Sequence, residues 1–489
     1  MNDKEWWQAH ILKAATAALS TISKIYIGCP VYVDPIFYFF LKYVKDLAKL
    51  DKLDIFPLAN IMQTKRDNDM VIVLGSPGDI LTYTNNISQK AEIIFLTVPI
   101  PSISFKFNIM AQPFNPIKYD GWPFPFVPRK KCLLMPIGTF TDFYLSNQAY
   151  QTKALKAGLA ILAHIFGGFN RVYGIGTLSS KVASGFLDAM PPNIERCNNN
   201  LILLDRTLDL LTQLRFNETY IGFMEELIPF DEFDLEITPP QQMQVFNRRT
   251  PATTNDDDLF EDIAVRTIPE VRRRLNVMGI SNSLANDIKN THTDLLNKME
   301  QLFKENYPKA LLFETQNGLV SDPFTQSRIL ALDKDSYELA FRALTILRSK
   351  GDKTAENYAR FLGQALGVQS VARWTRIDEF LTTAVSVSLP TKAKAYCAEV
   401  GALAAIFATI ITDEWKRSKF PVSPNYISTQ TPVMNEPQRW FVVIPGGLCA
   451  AELAAMRVLA RNIRPTDQFV FIPTNMQSPS GLMSEIIRK

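Results

Sequence analysis

Short apolar runs alternate with amphipathic stretches through roughly the first third of the chain. Residues 24–33 (KIYIGCPVYV), 69–75 (DMVIVLG) and 91–98 (AEIIFLTV) are brief and almost uniformly apolar, which predicts strands. Between the first two, Phe39, Phe40, Tyr43, Val44 and Leu47 recur at three- and four-residue spacing and predict a helix over residues 36–50. Strands and helices in alternation are the pattern of a parallel sheet covered on both faces. Residues 99–131 then carry Pro101, Pro113, Pro116, Pro123, Pro125 and Pro128. That density argues against regular structure and marks a long connection or domain junction near residue 130.

A second alternating block follows. Residues 130–138 predict a strand, 149–169 a helix, 171–177 a short strand or turn, and 179–190 another helix. Residues 198–205 (NNNLILLD) form the clearest buried strand, because an unbroken apolar run suits a central parallel strand. From about residue 230 to 381 the strand pattern fades. The polar, acidic residues 250–263 predict an exposed loop, whereas 275–304, 336–350 and 357–366 show helical periodicity with charged outer faces. Strand character returns at 439–445 (RWFVVIP) and 468–473 (QFVFIP), with a helix between them at 449–462. The returning piece most simply completes the second sheet, making a discontinuous α/β domain.

At about 150 residues per domain, 489 residues predict about three domains. Apolar residues at 47% and charged residues at 21% exclude disorder of the whole chain. A net charge of +3 gives no general pull toward nucleic acid or anionic lipid. Three histidines (His10, His164, His292) leave little for imidazole-rich metal sites. Cys29, Cys132, Cys197, Cys397 and Cys449 are scattered without a CxxC pair, the usage of reduced thiols in the cytosol. The opening MNDKEWW lacks an apolar core for a secretory signal. The longest apolar runs, 155–169 and 400–412, fall short of the ~20 residues that cross a bilayer. These features predict a soluble intracellular protein, brought to membranes by its partners.

Few motifs carry chemistry. No GxxxxGK[ST] run is present. Gly174-Ile175-Gly176-Thr177 lies at a strand–helix junction, but Ser179 stands where a dinucleotide fingerprint places its third glycine. In LILLDRTLDLLTQL (residues 201–214) a strand ends in Asp205-Arg206, and Asp205 or Thr207 is placed to cap the helix that follows. Asp209 is one turn on, and an Arg206–Asp209 clasp at the corner is favoured over a catalytic carboxylate pair. In IPGGLCAAELAAMRVLA (residues 444–460) Gly446-Gly447 permits a tight turn, and Glu452 suits the start of the next helix. Cys449 does not fit a nucleophile-elbow frame.

These two corners resemble those of the SM family, the syntaxin-binding proteins that work with SNAREs in vesicle fusion. The family's Asp-Arg-x-x-Asp-x-x-Thr-Pro-Leu matches Asp205, Arg206, Asp209, Thr212 and Leu214, with Gln213 at the proline. Its late Gly-Gly-x-Thr-x-x-Glu matches Gly446, Gly447 and Glu452, with Cys449 at the threonine. Residues 171–190, 216–228 and the SLAN…THTDLL stretch (283–296) resemble one branch, the SM subunit of the class-C vacuolar protein-sorting tethering complexes HOPS and CORVET.

The resemblance implies an arch of two parallel-sheet α/β domains, with a mainly helical third domain inserted into the second. The expected divisions are 1–130 (domain 1), 131–237 (domain 2, first part), 238–384 (helical domain 3) and 385–489 (domain 2, second part). It also implies a non-enzymatic protein without cofactor or metal, which holds SNARE helices and templates or protects their assembly. Expected SNARE-binding residues are Arg272, Arg273, Arg274, His292, Met299 and Phe303, since a basic helix suits acidic SNARE faces. Expected contacts for a class-C tethering subunit are Tyr358, Phe361 and Trp374. Localisation follows as cytoplasmic, and peripheral on endosomal, lysosomal or vacuolar membranes. The rival readings are an SM protein of another trafficking branch and a Rossmann-like nucleotide-binding protein using Gly174, Gly176 and Asp205.

Overall fold

Helix α1 (Trp7–Ile25) buries Trp7, Ile11, Ala15, Leu19 and Ile22, one residue per turn on a single face. It runs into the segment whose apolar character predicts a strand from residue 24. The strand that remains, β1, covers only Val31–Val33. In this computed structural model the described residues are 6–63, 70–76, 92–98, 115–129, 131–146, 148–189, 196–214, 219–227, 258–278, 283–306, 400–413, 425–428 and 437–488, with isolated positions between them.

Asp34 ends β1 and caps α2 (Pro35–Leu47). Its carboxylate accepts the Ile36 N–H at 2.9 Å and the Ser76 N–H at 3.3 Å, and Pro35 opens the helix where no N–H is needed. Strands β2 (Ile55–Pro57), β3 (Met70–Gly75), β4 (Glu92–Thr97) and β5 (Asn115–Gly121) complete a five-stranded sheet in the order β2-β1-β3-β4-β5. Every pairing in it is parallel.

Strand β5 corrects the expectation that the proline-rich connection lacks regular structure. Pro116 is tolerated because β5 is an edge strand and its register shifts between Ile93 and Ile94, opposite the proline. The strand expected over 130–138 is reduced to a two-residue antiparallel pair, β6 (Val127–Pro128) with β7 (Leu133–Leu134).

The second block contributes α3 (Gln148–Phe166), β8 (Gly168–Ile175), α4 (Thr177–Ala189) and β9 (Arg196–Leu204). After β9 come α5 (Leu210–Leu214), α6 (Tyr220–Leu227), α7 (Asp258–Ile263), α8 (Ile268–Val277), α9 (Ser283–Asn306) and α10 (Ala402–Ile411). Helix α7 lies within the stretch expected to be a loop, because Ile263 is fully buried and Leu259 packs on the same core. The expected helices at 336–350 and 357–366 lie outside the described residues.

The chain then returns as β10 (Asn425–Ser428), β11 (Arg439–Ile444), α11 (Ala450–Ile463), β12 (Gln468–Pro473) and α12 (Pro479–Arg488). The second sheet has the order β10-β8-β9-β11-β12, so three late strands flank two early ones. β9 and β11 pair in parallel, with Leu201 opposite Phe441, and β10 runs antiparallel to β8. β9 is central, as its continuous apolar run predicts. Helix α10 is buried on all sides from Leu403 to Ile411, which accounts for a segment apolar around its whole circumference.

By compactness the chain divides into two units: Met1–Leu203 with Pro424–Gly446 and Val470–Asn475, and Leu204–Ser423 with Gly447–Phe469 and Met476–Lys489. Among the described residues no helix is long and apolar enough to cross a membrane.

The glycine motif after β8 is explained by packing. A Cβ on Gly174 would lie 2.6 Å from the Ser179 carbonyl oxygen and 2.7 Å from the Ala183 Cβ, so glycine lets α4 sit close against β8. Gly176 adopts φ 101°, a left-handed turn into that helix. Gly174→Ala is therefore expected to lower unfolding free energy by about 1–3 kcal/mol through overpacking. Urea unfolding of the purified variant checks this.

Candidate functional site

Strand β9 delivers the chain into a buried polar junction. Asp205 and Arg206 are 1% and 0% exposed, and a single 3-10 turn over Arg206–Leu208 precedes α5. The Arg206 Nη1 meets the Glu452 Oε1 at 2.6 Å, joining two corners 246 residues apart in sequence. Its Nη2 donates to the main-chain carbonyl of Asp209.

The clasp expected between Arg206 and Asp209 therefore differs in its atoms. The guanidinium takes the Asp209 carbonyl and the Glu452 carboxylate. The Asp209 carboxylate accepts the N–H groups of Thr212 and Leu403, each at 3.0 Å. One side chain thus satisfies orphan donors at the starts of both α5 and α10. The cap expected of Asp205 or Thr207 is supplied by Asp209, since no cap hydrogen bond from the Asp205 side chain is made to the 3-10 turn.

The second corner is built in the same way. Gly446 and Gly447 adopt φ 91° and 98°, so two consecutive left-handed residues turn the chain out of β11. Glu452 accepts the Cys449 N–H at 3.2 Å, closing a capping box with cysteine in the cap position. Glu225, from α6, accepts the Ala450 N–H on both carboxylate oxygens at 2.8 and 2.9 Å. Three helix starts, those of α5, α10 and α11, are therefore fixed by carboxylates placed where the macrodipoles favour negative charge.

Burial alone would lower the Arg206 pKa, but the Glu452 and Asp209 carboxylates outweigh it and hold the guanidinium above its ordinary value. Burial, reinforced by Glu452 and Glu225, pushes the Cys449 thiol well above the ordinary range. A buried thiol kept protonated is a poor nucleophile. Among the described residues, no group of His, Cys, Asp and Glu side chains is arranged to hold a metal ion. The junction is a structural joint. Gln213, at the position of the expected proline, is buried and donates its Nε2 to the Gln477 carbonyl at 3.1 Å.

The residues expected to contact SNAREs separate into different environments. His292 is 0% exposed, with its Nδ1 at 3.1 Å from the buried Tyr220 hydroxyl, and Met299 is 1% exposed. Met299 shares a core with Tyr220, Met224, Ile263, Val271, Leu275, Leu295 and Leu296. The structure thus assigns His292 and Met299 to packing between α6, α8 and α9. Phe303 lies on α9, beyond the side chains described.

Arg272 pairs with Glu300 at 2.7 Å, and Arg274 with Asp262 at 3.0 Å. Asp262 also holds Arg266 at 2.6 Å. Arg273 is exposed. Two of the three expected arginines are therefore engaged by acids of neighbouring helices. Tyr358, Phe361 and Trp374 lie outside the described residues.

An exposed apolar surface was not singled out by sequence reasoning. Helix α2 buries Phe37, Leu41 and Val44, yet Phe39, Tyr43 and Leu47 are 47%, 59% and 53% exposed, and Ile36 stands at the head of the same stripe. The stripe runs about 16 Å along the helix. Periodicity marks a helix but cannot tell a covered face from an uncovered one when both are apolar.

No protein-family model matches the chain, and no curated protein sequence matches it. Solved structures do. The fold is that of SM proteins. Sly1p in complex with an N-terminal peptide of Sed5p superposes with a TM-score of 0.55 at 14% identity, covering 98% of this chain and 97% of that one. The Unc18–syntaxin 1 complex from Monosiga brevicollis gives 0.56 at 12% identity, covering 98% of each chain. The SM protein Vps45 gives 0.57 at 12% identity over 97% of this chain and 96% of that one, and it is also solved in complex with the Qa SNARE Tlg2.

Arg206→Met strands the Glu452 carboxylate in the interior and is expected to cost about 3–5 kcal/mol of stability. Combining it with Glu452→Leu should recover much of that loss, and denaturant titration of the single and double variants gives the comparison. Asp262 tests the helix pairings by pH. Burial would raise its carboxyl, but Arg266 and Arg274 outweigh this and hold its pKa below the ordinary 3.8. Its contribution is thus present above that value and lost as pH falls through the lower folded one. Asp262→Asn should cost under about 1 kcal/mol at neutral pH. The gap from wild type should close in acid, as thermal melts across pH would register.

Proposed function

We propose that the protein binds SNARE helices and guides or protects their assembly in vesicle tethering and fusion, without making or breaking bonds. The single observation that carries this reading is the exposed stripe on α2. Large side chains at helical spacing, left uncovered on one face, offer the surface that an amphipathic helix takes. The SM fold over nearly the whole chain supports it, since Sly1p is solved with an N-terminal peptide of Sed5p, Unc18 with syntaxin 1 and Vps45 with the Qa SNARE Tlg2. Aligning two such helices before they zip removes part of their ordering entropy from the encounter.

A narrower reading follows from residues 171–190, 216–228 and 283–296, whose resemblance is to the class-C branch. On it, the protein is the SM subunit of a HOPS- or CORVET-type tethering complex, peripheral on endosomal, lysosomal or vacuolar membranes through its partners. An SM protein of another trafficking branch is the alternative.

The test is direct binding of the purified chain to endosomal or vacuolar Qa SNAREs and to assembled SNARE bundles, by calorimetry. Phe39→Asp with Tyr43→Asp should weaken binding at least roughly tenfold while leaving the melting temperature within a few degrees of wild type. No binding to single SNAREs or bundles rejects the general reading. Affinity purification that recovers SNAREs but no class-C subunits rejects only the narrower one.

A further inference from the structure

The turn between α1 and β1 projects two isoleucines into solvent. Ile25 and Ile27 are 62% and 70% exposed, more than any residue of the α2 stripe. Gly28 follows at φ 76°, and a Cβ built on it would meet nothing within 4 Å, so the turn stands clear of its surroundings. Two exposed apolar side chains on a short turn do not make a groove. A peptide or helix gains little from two side chains on a turn, because it needs a groove or an extended stripe, whereas a lipid interface accepts protruding apolar side chains.

Two lysines stand by the turn on the α1 side, and the exposed Asp54, whose carbonyl accepts the Val31 N–H at 2.8 Å, lies by its β1 end. Lys24 is exposed in the last turn of α1, next to Ile25. The Tyr26 hydroxyl interacts with the Lys118 ammonium on β5, which brings that lysine to the turn. Lys118 pairs with Asp120 at 2.9 Å, and the exposed Lys106 also acts on Asp120. Lys24 and Lys118 thus stand beside two exposed isoleucines, an arrangement complementary to anionic headgroups.

We propose that this turn is a direct membrane contact, with Ile25 and Ile27 entering the headgroup region of an anionic bilayer and Lys24 and Lys118 facing its lipid phosphates and carboxylates. The contact adds to any recruitment by protein partners and does not depend on the SNARE-binding reading.

The experiment is co-sedimentation of the full chain with protein-free vesicles of phosphatidylcholine, with and without phosphatidylserine. Binding is expected with phosphatidylserine and should weaken as salt rises. Ile25→Ser with Ile27→Ser should reduce it by at least roughly tenfold, without shifting the melting temperature, because both side chains are exposed. Lys24→Gln and Lys118→Gln should each reduce it by about fivefold and serve as a second test that leaves the turn's apolar groups intact. No binding to phosphatidylserine vesicles, equal binding to phosphatidylcholine alone, or full binding by the isoleucine variant would each overturn the proposal.

Discussion

The contact between Arg206 and Glu452 is the constraint on which the second α/β region depends. A guanidinium and a carboxylate with almost no exposure are costly to desolvate, and their mutual attraction offsets that cost only when the remaining donors and acceptors are also satisfied. Here both groups carry a further hydrogen bond. The guanidinium's second arm reaches the Asp209 carbonyl, and the second Glu452 oxygen reaches the Cys449 N–H. Ion pairing therefore acts less as glue than as a register device, fixing where the helices after the two corners start relative to one another.

The two corners follow neighbouring strands of a sheet that is split in sequence. β9 and β11 lie side by side, and each leads into one of the two corners that Arg206 and Glu452 join. Asp209 and Glu225 extend the same logic to α10 and α11, each placing a carboxylate on the first N–H groups of a helix remote in sequence. The cysteine at the cap position fits this role. A capping box pairs the cap side chain with the N3 N–H and the N3 glutamate with the cap N–H, and here a thiol stands in place of the hydroxyl.

Much of the fold was legible because its strands are buried on both faces. β3, β4, β9, β11 and β12 announce themselves as apolar runs, and α2, α3 and α11 by their periodicity. The failures have physical causes. Residues 24–33 look like one strand because exposed Ile25 and Ile27 have the same apolar character as buried Val31 and Val33. β5 was hidden by its prolines, which an edge position with a register shift accommodates. Each corner motif was readable alone, yet the bond that unites them was not, since no local pattern reports a partner 246 residues away. His292 and Met299 lie on a stripe whose spacing suits a core as well as a partner, and only the packing of α6 and α8 against it shows that it is covered.

The second sheet also has a temporal side. More than two hundred residues separate the end of β9 from the start of β11. At ribosomal speeds of about 5–20 residues per second, that interval lasts from roughly ten seconds to most of a minute. During it the newborn β9 has an open flank, with Leu201 to Leu204 waiting for a neighbour that has yet to be translated. Biogenesis of this architecture thus favours a shielding factor on the nascent polypeptide, and codon changes that slow the intervening stretch should increase its exposure to aggregation.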